Sequence, residues 1–184
     1  MNDNPKFDAR AIANLLLDEA EGRALVVTNL MLQKLLYFTH GAYLTANRAP
    51  LVDGYFEAWT HGPVHPNVYQ AFKEAGSSPI TWRAVRSDYT SGRLLVVPPV
   101  SDAGAVAVCR RVVNTLGSLS ASQLVALSHV PGGPWDVVSN EARTNPGRGM
   151  RISDMLVLER FSRHKLSVES PDDGVDPDQE APFT

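Results

Sequence analysis

The chain has 184 residues, 43% of them apolar, which is enough for one well-buried core and too short for two comfortable domains. Its single cysteine, Cys109, and the lack of any CxxC exclude an internal disulfide and a cysteine-rich zinc module, and fit a reducing compartment. The formal charge is −3, no run of eighteen apolar residues occurs, and the start MNDNPKFDAR carries no apolar signal core, so the expectation is a cytoplasmic protein with no membrane partner.

The first helix is expected over Asp8 to Ala20, with Asp8 as its cap, Ile12, Leu15, Leu16 and Ala20 on one stripe, and Gly22 at its end. Thr28 can cap a second helix that reaches about Thr45. This helix is apolar on most of its circumference, so it should be packed on several sides. Gln33, Lys34 and Tyr37, with Gly41 a turn further on, form a polar line along it, and buried polar groups need partners. Phe56 to Trp59 is short and aromatic, hence a strand, and Gly62-Pro63 fixes a turn. Asn67 then caps a helix running through Val68, Tyr69 and Phe72 to Gly76.

Ile80 to Val85 and Leu94 to Val97 read as two strands of a hairpin around Ser91-Gly92. Asp102 to Leu116 repeats apolar residues at Val106, Cys109, Val113 and Leu116, a helical spacing. Ser120 or Ser122 starts the next helix, the Pro131-Gly132-Gly133-Pro134 stretch breaks the chain before Trp135, and Ser153 caps a last helix ending near Phe161. The elements do not alternate as a doubly wound sheet would. The fold class expected is α+β, predominantly helical, as a single compact domain with a small antiparallel sheet or hairpin.

Sequence signatures of catalysis are mostly missing. There is no GxGxxG after a strand, GxxxxGK[ST], GxSxG or HExxH. Asn145-Pro146-Gly147-Arg148-Gly149 lacks the strand and the lysine-hydroxyl ending of a phosphate loop and reads as a plain loop. His61 and His65 flank Gly-Pro-Val, but five scattered histidines without cysteine context favour turn and cap roles over a metal site. Ser128 and His129 could be drawn with an Asp as a triad, yet nothing orients them; His129 and Trp135 are expected to pack, with imidazole hydrogen bonds holding the helix end. Lys34 is expected to be structural, its ammonium reaching a helix C-terminus or a carboxylate, and Cys109 to be a core thiol. No cofactor is expected.

Residues 166–184 hold six acids and no Lys or Arg, leaving 17 basic against 14 acidic side chains in the body. The division expected is a folded domain over 1–165 and a disordered acidic tail over 166–184, solubilising or a contact for a protease. Arg83, Arg86 and Arg93, with Arg143, Arg148, Arg151, Arg160, Arg163 and Lys165, give DNA binding modest support. A body only mildly basic, with no helix-turn-helix pattern, argues against nucleic acid as a partner.

Three blocks, LQKLLYFTHG (Leu32 to Gly41), FEAWTHGPVHPNVYQAF (Phe56 to Phe72) and SQLVALSHVPGGPW (Ser122 to Trp135), resemble in order and content the Panacea-domain family of SocA-like antitoxins. The long acidic tail is a departure from that pattern. The resemblance implies a helix-rich α+β domain and a non-enzymatic role: binding and neutralising a cognate toxin protein, by direct masking or as a proteolytic adaptor that hands the toxin to the AAA+ protease ClpXP. The competing readings are an enzyme using Lys34 and the histidines around Gly62-Pro63, and a DNA-binding regulator. Gln33, Lys34, Tyr37, Trp59, Gly62, Pro63, Val64, His129 and Trp135 are expected to form a fold-defining cluster, because the blocks must meet for the polar line to be satisfied. Tyr69, Trp82 and Tyr89 are the candidate partner-binding aromatics.

Overall fold

Helix α1 spans Ala9–Glu21 and helix α2 spans Asn29–Asn47. The computed structural model describes residues 6–87, 90, 92–144 and 150–166. Asp8 caps α1 by accepting from the Arg10 N–H, and Thr28 caps α2 by accepting from Met31. The α2 cylinder is the axis of the molecule. It packs against α1, against α3 (Pro66–Phe72), α4 (Ala103–Leu116), α5 (Ala121–Ser128) and α7 (Asp154–Arg160), and against strand β2 (Gly62–Val64). That encirclement is why its sequence is apolar on most of its circumference, and why Leu32, Leu35, Leu36 and Phe38 have no exposed surface. One continuous core joins Ile12 and Leu16 of α1 to Cys109 and Val113 of α4 and Phe161 after α7. Gly41 permits the last of these contacts, since a Cβ there would lie 2.0 Å from Cε2 of the Phe161 ring.

Strand β1 (Phe56–Trp59) is the centre of a three-stranded antiparallel sheet, between β2 and β5 (Arg151–Ile152), with Trp59 opposite Gly62 and Phe56 opposite Ile152. A separate hairpin pairs β3 (Val85–Ser87) with β4 (Leu94–Val96), Val85 opposite Val96. Together with α6 (Pro134–Thr144), seven helices and these two small sheets make up the described residues, a predominantly helical α+β fold as the sequence predicts.

Several local expectations change. Gly62-Pro63 is strand, not turn; the chain reverses at Thr60 and His61. Asn67 does not cap α3: Pro66 takes the first helical position, where its missing N–H costs nothing, and His65 occupies the cap site without a side-chain bond. Ile80 to Ala84 is not strand, because the Ile80 N–H goes to Val27 O and pins this stretch to the α1–α2 connection; β3 begins only at Val85. Helix α6 was not expected after Pro134, which serves as its first residue, and the two-residue β5 is too short to carry a signal. The phosphate-loop candidate at 145–149 and the tail beyond 166 lie outside the described residues.

Candidate functional site

Strand β2 is an edge strand, and the polar line of α2 covers its free edge. The Lys34 ammonium donates to the Pro63 carbonyl at 2.8 Å, and the His65 N–H donates to Gln33 Oε1 at 2.9 Å. Gln33 Nε2 is held in turn by Asn29 Oδ1 at 3.1 Å. Two side chains one residue apart on a helix thus replace the ladder bonds of a missing strand, and Pro63 has no N–H that would need another acceptor. Gly62 is required at the junction: its φ is +97°, and a Cβ would lie 2.5 Å from Ser128 Oγ and 2.9 Å from Lys34 Nζ. Lys34 has no exposed surface, and burial drops its pKa to about 7. Its partner is a strand carbonyl rather than the helix terminus or carboxylate expected from sequence.

Tyr37 departs from the expectation that the whole polar line is satisfied. Among the described residues its hydroxyl has no partner, and burial raises its pKa. Its ring instead makes edge contacts with Phe38, Phe56, Phe161 and His164, at centroid distances of 5.5 to 6.2 Å. Packing decides this position.

The third block braces the sheet from outside. Trp135 Nε1 donates to the Trp59 carbonyl at 2.8 Å, and the His129 ring lies flat on the Trp135 indole, 3.6 Å between centroids and 5° between planes. The imidazole hydrogen bonds expected there are not what holds the pair: His129 Nε2 is buried with no partner among the described residues, and the α5 end is closed by the His129 backbone N–H instead. Burial, then the Lys34 and His61 charges, lower the His129 pKa. Gln33, Lys34, Gly62, Pro63, Trp59, His129 and Trp135 are therefore linked, Gln33 through the His65 N–H, and Val64 is buried on the same strand as Gly62 and Pro63.

In front of this brace is an open cleft of about 600 Å³, lined among others by Leu30, Gln33, Trp59, His61, Tyr69 and Lys73. Trp59 and Tyr69 form one wall in an edge-to-face pair, centroids 4.9 Å apart, and Trp59 Nε1 is tied to Glu57 at 2.7 Å. Of the candidate partner aromatics, Tyr69 lines the cleft. Trp82 does not; it is 37% exposed, tilted on Phe72, with its Nε1 3.4 Å from Ala71 O. Tyr89 lies outside the described residues. The sequence reading missed Leu30, His61 and Lys73 as neighbours. The Tyr69–Lys73 spacing of four was the one available signal.

The chemical alternatives find little geometry. Ser128 Oγ donates to Val125 O, while His129 is stacked on an indole, so no triad forms. His65 Nε2 meets the Asp53 carbonyl at 2.9 Å, and no cluster of three metal-ligating side chains occurs among the described residues. Cys109 is buried, which pushes its thiol up to about 12. Arg83 is paired with Asp18 and Glu21, and Arg110 with Glu19, while Arg151 stacks over the Tyr55 ring, so each of these guanidinium groups already has a partner within the fold.

Comparison with known proteins bears on the same segments. Residues 32–136 match the family described as "Antitoxin SocA-like, Panacea domain", a span holding all three blocks in full. The chain is 48% identical over 180 residues to "Antitoxin SocA" of Caulobacter vibrioides (strain NA1000 / CB15N), an alignment covering 98% of this chain and 96% of that protein. No solved structure matches. With the family match spanning more than half its length and a full-length relative at this identity, the chain belongs to the SocA-like, Panacea-domain antitoxin family.

Proposed function

We propose that this chain neutralises a cognate toxin protein by binding it, without catalysis of its own, and that neutralisation proceeds by delivery of the bound toxin to the AAA+ protease ClpXP in the cytoplasm. The full-length similarity to an antitoxin carries the first part. The interior supports it. Lys34, the amine that an enzymatic reading would need, has no exposed surface and is bonded to Pro63, whereas a catalytic amine must reach substrate. No described helix is long and apolar enough to cross a membrane.

Delivery needs two surfaces, one for the toxin and one for the protease. The cleft beside Trp59 and Tyr69 offers the first. The acidic segment 166–184 or the basic stretch before it offers the second. Toxin half-life distinguishes delivery from masking. With this protein present the toxin should be degraded faster in wild-type cells, and growth rescue should disappear in a strain lacking the protease. An unchanged half-life, with rescue kept in that strain, leaves masking as the mechanism.

A further inference from the structure

We propose that the cleft between α2, the β1–β2 turn and α3 is the toxin-docking groove, and that it takes an extended toxin segment carrying an apolar or aromatic anchor beside a carboxylate. This rests on the antitoxin reading above. The walls supply the anchor site: Leu30, Trp59, Val64, Tyr69 and Met150 line a space of about 600 Å³, room for a few side chains rather than a whole helix. The aromatic wall is held in place before any partner arrives. Trp59 is fixed at its indole by Glu57, at its carbonyl by Trp135 and along its edge by Tyr69. Such preorganisation lowers the entropy lost on binding.

Charge selects the second element. Among the described residues no Asp or Glu lines the groove and Lys73 is the one formal charge that does, exposed, with His61 at the opposite turn. An acid on the incoming segment is therefore complemented, and a base is repelled. A small polar ligand fits the same walls poorly, because Gln33 and the Trp59 N–H are already spent on Asn29, His65 and Glu57. A peptide brings its own backbone order and needs only the apolar walls and the rim cation.

The test uses the full chain and the protein encoded by the adjacent gene, co-expressed and co-purified, with thermal unfolding of each variant as the folding control. Tyr69→Ala should weaken the complex by about 10-fold or more, the loss expected for truncating an aromatic anchor. Lys73→Glu, on the surface and harmless to folding, should weaken it by roughly 5-fold or more and remove most of its salt dependence. Met155→Glu adds the same sign of charge outside the groove, at a side chain 68% exposed, and should bind as wild type. A photo-crosslinker at Leu30 should label a toxin peptide with an acid next to a large apolar residue. If the wild-type pair forms and both groove variants bind unchanged, or the label falls on a segment without an acid, the groove is wrong while the antitoxin reading stands. If the wild-type chain neither binds nor rescues growth, that reading itself fails.

Discussion

The two small sheets of this molecule manage their edges in opposite ways. In β2–β1–β5 the edge strand β2 is entirely buried, with Lys34 of α2 on its Pro63 carbonyl and Gln33 on the N–H of His65 just past its end. In β3–β4 every residue is exposed, with Leu94 at 72% and Val96 at 80%. Propensity does not explain the difference, since the buried β2 is Gly-Pro-Val while the exposed β4 is Leu-Leu-Val. What separates them is whether a neighbouring helix carries polar side chains at the right spacing to close the edge. The first sheet is a structural joint between the three sequence blocks. The hairpin is a two-stranded ribbon of the kind that is marginal alone.

The joint should respond to perturbation far more than the hairpin. Lys34 gives the largest expected effect. Its folded pKa of about 7 lies below the ordinary 10.5, so between these values the unfolded chain holds a proton that the folded chain does not. Stability should therefore rise as pH increases from about 7 toward 10.5, by at most about 5 kcal/mol. Lys34→Met should abolish that slope when denaturant midpoints of the two proteins are compared across the range. An identical slope in the variant would mean the ammonium is not buried in solution.

Gly62→Ala comes next, with a cost on the order of 3 kcal/mol, since the residue combines positive φ with backbone approach to Lys34 and Ser128. Trp135→Ala should cost a similar amount, about 3 kcal/mol, by removing the stacking surface of His129 and the bond to the Trp59 carbonyl. Urea unfolding measures both, and values under about 1 kcal/mol, the range of ordinary surface changes, would show that the brace is dispensable.

Acid sensitivity sharpens the contrast from the core side. Burial lowers the pKa of His65 and His164 below the ordinary 6.5, although backbone carbonyls of Asp53 and Phe161 oppose it. A depressed base binds its proton more readily when unfolded. Stability contributed by the neutral rings is then full above pH 6.5 and is lost as pH falls below it. The melting temperature should drop on going from pH 7 to pH 5, and His164→Gln should flatten part of that drop.

Much of this architecture was legible in the sequence where a local rule had no competitor. Asp8, Thr28 and Ser153 cap helices as expected, and Ser120 rather than Ser122 caps α5, since side-chain oxygen and N–H lie within four residues of each other. The polar line of α2 was visible as a need for partners. Which partners was not, because Pro63 O and His65 N are about thirty residues away and only tertiary packing brings them in. Helix α6 is hidden in the sequence by Pro131 and Pro134, because a proline at a first helical position carries the same local signal as a chain break. The cleft was illegible for the same reason as the joint. Its lining comes from α2, the β1–β2 turn, α3 and Met150, and no periodicity links them.

The smallest expected effect belongs to the hairpin. Leu94 and Val96 make little use of their apolar surface in the folded chain, so Leu94→Thr and Val96→Thr together should change stability by about 0.5 kcal/mol or less, while equally conservative changes at buried Leu36 or Val113 should cost several times more. Threonine is isosteric with valine at 96 and is itself a good strand former at 94, which leaves exposure as the main variable under test. The measurement is the midpoint of urea unfolding for the double variant beside Val113→Thr. A loss above about 1.5 kcal/mol in the hairpin variant would mean that its outer face is covered in solution, and the division between a sealed joint and an open ribbon would no longer hold.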